Sequence, residues 1–196
     1  MENKIKIGII SLGLIGSSIL KALYNKYDLY CYSTSCPKEA FKYCENISND
    51  INIIKNCDIV FVCSPISKTL HFLEKLNTFL KKETIVCDCA SVKSELLNKN
   101  FNFNFILSHP LAGSEKTGFN AGCENLFQNA KWLIEKNNDL LENIIKDLGA
   151  KPITINMTQH DKMCAEISHM PTILSYLLFN MTEDKSKQIA SSGFRD

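Results

Sequence analysis

Short apolar runs alternate with stretches of helical periodicity along most of this chain, and that alternation restricts its fold more than any other feature. Residues 5–10, Asp28–Tyr32, Asp58–Pro65, Thr84–Ala90, Phe103–Leu107, Ala130–Glu135 and Pro152–Ile155 read as strands. Between them Leu12–Tyr27, Pro37–Cys44, Asn49–Asn56, Leu70–Leu80, Val92–Asn98 and Asp139–Leu148 read as helices or helical turns, the last ended by Gly149. Strands separated by helical crossovers pair in parallel, with helices on both faces of the sheet. The expected class is therefore α/β with a mainly parallel sheet. After Asn156 the pattern changes. A long helix runs from a Thr158 cap to about Asn180, and nothing strand-like follows. The expected organisation is a sheet domain over 1–156 and the beginning of a helical domain over 157–196.

The turn after the first strand reads Ser11-Leu-Gly13-Leu14-Ile15-Gly16, a glycine-rich turn opening a helix. Glycines at such a turn let the backbone reach a pyrophosphate, and the helix N-terminus favours its charge. Ser11 occupies the first glycine position of that fingerprint. In this place the motif predicts a Rossmann-type dinucleotide site at Ser11, Gly13, Leu14, Ile15 and Gly16, with Ser64 and Pro65 at the end of another strand. The second strand ends in Ser33-Thr34-Ser35, with Lys38 beyond, rather than in an acid. Hydroxyls and a cation suit a 2′-phosphate better than a ribose diol, so NADP is favoured over NAD.

Composition excludes several classes. The net charge of +1 gives no footprint for nucleic acid or an anionic membrane. No apolar run reaches membrane-spanning length, and Met1–Lys4 lacks the apolar centre of a signal peptide, which predicts a cytoplasmic protein. The nine cysteines include no C-x-x-C pair, and several sit inside strand-like runs as small hydrophobes. No metal set is expected. His160 and His169, nine residues apart, oppose each other on a straight helix, against a zinc site built with Cys164. All but one of the basic residues are lysine. Arg195, the exception, is a candidate for work that needs a planar fork of donors.

The segment 108–122, SHPLAGSEKTGFNAG, buries little, and packing does not explain it. A histidine at a strand end, followed by Gly113, Gly118 and Gly122, reads as a reactive site whose backbone approaches a ligand. HPLAGSEKTG at 109–118, D-x-x-S-V-K at Asp88–Lys93, HDKMCAEISHMP at 160–171 and GFRD at 193–196 together resemble the prephenate/arogenate dehydrogenases of tyrosine biosynthesis. The match runs in order across essentially the whole chain. The resemblance implies a Rossmann-type domain followed by a helical dimerisation domain, here incomplete, and a homodimer when the protein is full length. It implies oxidative decarboxylation of prephenate to 4-hydroxyphenylpyruvate with NADP or NAD. His109 would be the catalytic proton acceptor and Ser91 the group orienting the hydroxyl. Arg195, Ser168, His169, Thr172, Gly113 and Ser114 would stand on the substrate side.

Thr172 departs from the family, where many prephenate-using relatives carry a second histidine, and this opens arogenate as the substrate. Two other readings remain at this stage. A β-hydroxyacid-type dehydrogenase would normally use a catalytic lysine in the helical domain. A non-catalytic dinucleotide-binding module would need only the glycine turn.

Overall fold

The computed structural model describes residues 4–195; the side chain of Arg195 lies outside the described residues. Six strands form a parallel sheet in the order β3-β2-β1-β4-β5-β6: β1 (Lys6–Ile10), β2 (Asp28–Tyr32), β3 (Ile47–Ser48), β4 (Ile59–Val62), β5 (Ile85–Asp88) and β6 (Asn104–Ile106). The order reverses at β1, which pairs with β2 on one side and β4 on the other. This is the doubly wound arrangement whose ligands bind outside the carboxyl ends of the strands.

The strands are continuous apolar runs because both faces are covered. Ile7, Ile9, Ile59, Phe61, Ile85 and Cys87 point to one face, where helices α1 (Leu14–Leu23) and α3 (Asp139–Asp147) contribute Ile19, Leu20, Leu23, Leu141 and Ile144. Ile10, Val60, Val62 and Val86 point to the other, where α2 (Ile66–Leu76) contributes Leu73 and Leu76. The period-two switch sends alternate apolar residues of the central strands to one core or the other. Gly149, at φ +83°, ends α3, and the amides of Gly149 and Ala150 close on the Lys146 and Ile145 carbonyls.

Three expectations are corrected here. The 104–110 region is two strands, because Ser108–Pro110 forms a separate β7. β7 pairs antiparallel with β8 (Lys131–Ile134), which pairs parallel with β9 (Lys151–Thr154) in a second sheet. Pro37–Cys44 and Asn49–Asn56 are short 3₁₀ turns, Lys38–Lys42 and Ile51–Ile54. Val92–Asn98 makes consecutive hydrogen-bonded turns from the Lys93 and Leu96 carbonyls and no helix; Asn98 adopts a left-handed φ of +62° and Lys93 is buried.

The chain divides into two compact units, through Thr158 and from Gln159. The second unit contains α4 (His160–Cys164), a π-turn (Ala165–His169), α5 (Met170–Met181), α6 (Asp184–Lys187) and α7 (Ser192–Arg195). Thr158 does not cap this helix; its hydroxyl bonds to Asn156 Oδ1 at 2.8 Å, and Gln159 is the N-cap residue. The π-turn sits just before Pro171, whose ring clashes with the preceding turn and which has no amide hydrogen to give. The Met170 amide reaches five residues back to the Ala165 carbonyl. That widening resets the helical phase by about 100°, so His160 and His169 are no longer opposed. α5 has no buried residue, and Ile173, Leu174, Leu177, Leu178 and Phe179 are all exposed. An apolar helix of this kind is stable only when something covers it. Among the described residues no helix is long and apolar enough to cross a membrane.

The junction of α1 and α3 is fixed by a polar contact. Tyr27 Oη donates to Asp147 Oδ2 at 2.6 Å, and Lys26 Nζ lies 3.1 Å from Asp147 Oδ1. Partial burial, then the bond to Asp147, pushes the Tyr27 phenol up to about 12. Burial would raise Asp147, but the Tyr27 hydrogen bond and the Lys26 ammonium outweigh it and hold the carboxyl below its usual range. The folded chain therefore holds the Tyr27 proton more tightly than the unfolded chain does. Its contribution to stability is complete below pH about 10 and is lost as pH rises towards about 12. Thermal unfolding across that window should show a fall in midpoint that Tyr27→Phe flattens; an equal fall in both proteins would remove Tyr27 as its cause.

Candidate functional site

The carboxyl ends of β1, β2 and β4 converge on a cavity of about 300 Å³. Ser11, Gly13, Ser33, Thr34 and Pro65, all named from the sequence as cofactor-side residues, line it together. Gly16 works from behind. A Cβ there would lie 2.0 Å from the Ser11 carbonyl oxygen, so only glycine lets α1 start this close to the strand end. Ser11 itself holds φ +74°, a left-handed conformation that glycine adopts at no cost and serine does not. Gly13 has open space around its α-carbon and serves as N-cap of α1 without a capping side chain. Leu14 and Ile15 form the first turn of α1. The first-turn amides and the unobstructed surface at Gly13 fit a pyrophosphate. Ser64 is buried beneath α2, with its hydroxyl 3.2 Å from Thr69 Oγ1, so it shapes the wall from below.

Among the described residues, those lining the cavity include Ser33, Thr34, Ser35 and Lys68, and no Asp or Glu. Lys38, the cation expected from the sequence, is not among the lining residues. Lys68 takes that place from the first turn of α2. Its signal was topological: α2 follows β4, the neighbour of β1 at the point where strand order reverses. A larger cavity of about 650 Å³, lined by Lys6, Asn56, Asp58 and Thr84 among others, opens at the opposite, amino ends of the strands. Doubly wound sheets do not bind their ligands there.

Gly118 and Phe119 complete the cavity wall, which joins the dinucleotide crevice to the segment that follows His109. The three glycines of that segment stand in different surroundings. Gly122 is buried, and a Cβ on it would lie 2.0 Å from Ser17 Oγ, so it lets the segment pack on α1. Gly118 holds φ +85° to make a turn, and Gly113 is exposed with nothing near its α-carbon. Lys21 Nζ caps the Phe119 and Gly122 carbonyls at 3.3 and 2.7 Å, and the Cys123 amide donates to Ser18 Oγ at 3.1 Å. Ser114 is exposed and its hydroxyl accepts from the Lys116 amide.

His109 lies in the middle of β7, opposite Leu133 of β8, and is half-buried. Ser91 is exposed in the loop that follows β5. Between them is a buried polar cluster that the sequence did not reveal. Asp88 and Lys93 are both fully buried and form an ion pair. Asp88 accepts from the Ser108 amide at 3.0 Å and the Ala90 amide at 3.1 Å. Lys93 Nζ donates also to the Ala90 and Ser108 carbonyls at 2.7 and 2.6 Å. Ser108 Oγ donates to the Asp88 carbonyl and accepts from Trp132 Nε1 at 3.2 Å. Burial pushes the Asp88 carboxyl up, and the Lys93 ammonium and the two amides pull it back. Removing one partner alone would leave a buried charge and cost about 3–5 kcal/mol.

The remaining expected residues belong to the second unit. Ser168 and His169 are exposed in the π-turn, and Thr172 Oγ1 donates back to the Ser168 carbonyl at 2.8 Å. His160 is buried, with Nδ1 2.7 Å from Asp161 Oδ1 and Nε2 3.4 Å from Cys164 Sγ. The Arg195 side chain, assigned to the substrate carboxylate, lies outside the described residues.

Strand order, glycine turn and crevice define a dinucleotide-binding protein of the Rossmann type. The family described as prephenate dehydrogenase, nucleotide-binding domain, matches residues 33–153, and the chain belongs to that family. It is 34% identical to the prephenate dehydrogenase of Lactococcus lactis over 97% of its own length and 59% of that protein's, so it spans about three fifths of that relative. The crystal structure of Synechocystis arogenate dehydrogenase superposes with a TM-score of 0.80 at 30% identity, covering 98% of this chain and 77% of the other. Prephenate dehydrogenase from A. aeolicus, solved with hydroxyphenyl propionate and NAD+, shares the fold with a TM-score of 0.76 at 22% identity, over 98% and 76% of the two chains.

The close approach at Gly16 gives a direct test. Gly16→Ala should lower NAD(P) affinity by about tenfold or more, because Ser11 and the α1 terminus must separate, and should cost about 1–3 kcal/mol of stability. Calorimetric titration and chemical unfolding measure both; unchanged affinity would show that the Ser11–Gly16 turn does not form the cofactor seat.

Proposed function

We propose that this chain carries the dinucleotide-binding part, and the start of the helical part, of an NADP-dependent dehydrogenase that converts prephenate to 4-hydroxyphenylpyruvate with loss of carbon dioxide. The observation that carries this reading is His109. It lies in β7, which starts two residues beyond the carboxyl end of β6, and Gly118 and Phe119 of the segment that follows it line the dinucleotide crevice. The dinucleotide, when bound, supplies the hydride acceptor. His109 accepts the proton of the ring hydroxyl as the hydride departs, which general-base chemistry allows to an imidazole within hydrogen-bond reach. Ser91 orients that hydroxyl. Ser168, His169, Thr172 and Arg195 bind the acid's carboxylates and side chain, with Gly113 and Ser114 contributing from the loop. The 34% identity with a protein named prephenate dehydrogenase supports this substrate.

Arogenate is the second reading. Thr172 stands where a second histidine would be expected, its hydroxyl is turned to the Ser168 carbonyl, and the Synechocystis relative is an arogenate dehydrogenase. NADP is favoured over NAD by Ser33, Thr34, Ser35 and Lys68 around a crevice that, among the described residues, no Asp or Glu lines. The apolar surface of α5 supports homodimerisation of the full-length protein through its helical part. The absence of disulfides among the described residues suits a cytoplasmic protein.

Steady-state kinetics with each acid and each cofactor test the reading. Turnover is expected with prephenate and NADP, and His109→Asn should lower kcat by about a hundredfold or more while KM changes little. No reduction of either cofactor with either acid would remove the dehydrogenase reading. Lys68→Ala should weaken NADP about tenfold and leave NAD unchanged, as expected for loss of one charge-assisted bond to a phosphate. An equal effect on both cofactors would take Lys68 away from the 2′-phosphate.

A further inference from the structure

We propose that the buried Asp88–Lys93 pair positions His109 and Ser91 relative to each other, an inference that rests on the catalytic reading of those two residues. The ammonium of Lys93 donates to the Ala90 and Ser108 carbonyls. Those carbonyls belong to the peptide groups that lead directly into Ser91 and His109. Asp88 takes the amides of the same two residues, Ala90 and Ser108. One ion pair thus grips both peptide groups flanking Ala90 and both flanking Ser108.

The placement explains why a charged pair is kept where an apolar one would pack. A buried ion pair adds little net stability over well-packed hydrophobic side chains, because desolvation offsets the attraction. What it adds is direction. β7 is only three residues long and is not hydrogen-bonded into the six-stranded sheet. The loop carrying Ser91 has no helix to hold it. Lys93 and Asp88 therefore supply the fixed bonds between the end of β5 and the start of β7, and Trp132 holds the Ser108 hydroxyl from the far side. Displacing a catalytic group by about 1 Å can cost about a hundredfold in rate, so such bonds act on turnover more than on binding.

The test uses two variants and two readouts. Asp88→Asn combined with Lys93→Met removes both charges together and leaves an amide oxygen for the Ser108 amide. Lys93→Arg keeps the ion pair but cannot place its donors on the same two carbonyls. Thermal midpoint and NADP affinity report on folding. The ring resonances of His109, identified among the four histidines by their loss in His109→Asn, report on its environment. We expect both variants to bind NADP within about twofold of the parent and to keep KM, with kcat reduced by about tenfold to a hundredfold. The His109 resonances shift or broaden while those of His71, on α2, do not. A pair that is merely structural predicts a lower thermal midpoint for the double variant and parental kcat and His109 resonances for Lys93→Arg; that result overturns the proposal. If the double variant does not fold, Lys93→Arg decides. If the parent chain turns over neither acid, the catalytic reading fails, and the His109 resonances of Lys93→Arg still decide whether the pair sets the position of that ring.

Discussion

The site depends on one close contact, the seating of Gly16 beneath the Ser11 carbonyl. β1 is hydrogen-bonded on both edges, so its carboxyl end is fixed in direction before any loop is considered. A chain leaving such a strand must turn at once to start the crossover helix. It does so by holding Ser11 at a left-handed φ and leaving out one side chain at Gly16. The amino end of α1 then faces the crevice, and Lys21, Ser17 and Ser18 on the same helix become the platform for the segment that follows His109. The dinucleotide crevice and the segment that follows His109 are built on one helix.

Much of this was readable because the governing patterns are local. The strands β1, β4 and β5 are buried on both faces, so their apolar runs are unbroken, and the glycine turn sits where strand order requires it. β7 was hidden for the opposite reason: Ser-His-Pro has no apolar run, and its pairing partner β8 lies more than twenty residues away. Asp88 and Lys93 stood in the D-x-x-S-V-K motif, but their spacing alone does not say that they pair in the interior. Only the fold shows that Asp88 and two backbone carbonyls receive the Lys93 ammonium. The π-turn was half legible. A proline inside a helix marks a disturbance, but the form it takes depends on how the backbone recovers its hydrogen bonds, here through the Met170 amide and the Ala165 carbonyl.

The two catalytic candidates owe their place to different kinds of force. The crevice comes from apolar packing, with Phe61 and Trp132 in edge contact under the sheet and α1 and α3 against it. Such packing is non-directional and sets overall shape well. Ser91 and His109 instead hang from a polar cluster in which each donor meets a defined acceptor. Hydrogen bonds carry angle as well as distance, which suits the point where two loops must be held in register.

The segment between β7 and Gly118 has a further consequence. Its first end is held by pairing with β8, and its far end is pinned to α1 through Lys21 and the Gly122 contact. Residues 111–117 are therefore an arch between two fixed piers. An arch of set span has few shapes available before a ligand arrives, so little freedom remains to be lost when it settles around one. Exposed residues such as Gly113 and Ser114 thus sit in a loop whose mobility is limited by its anchorage rather than by its own packing.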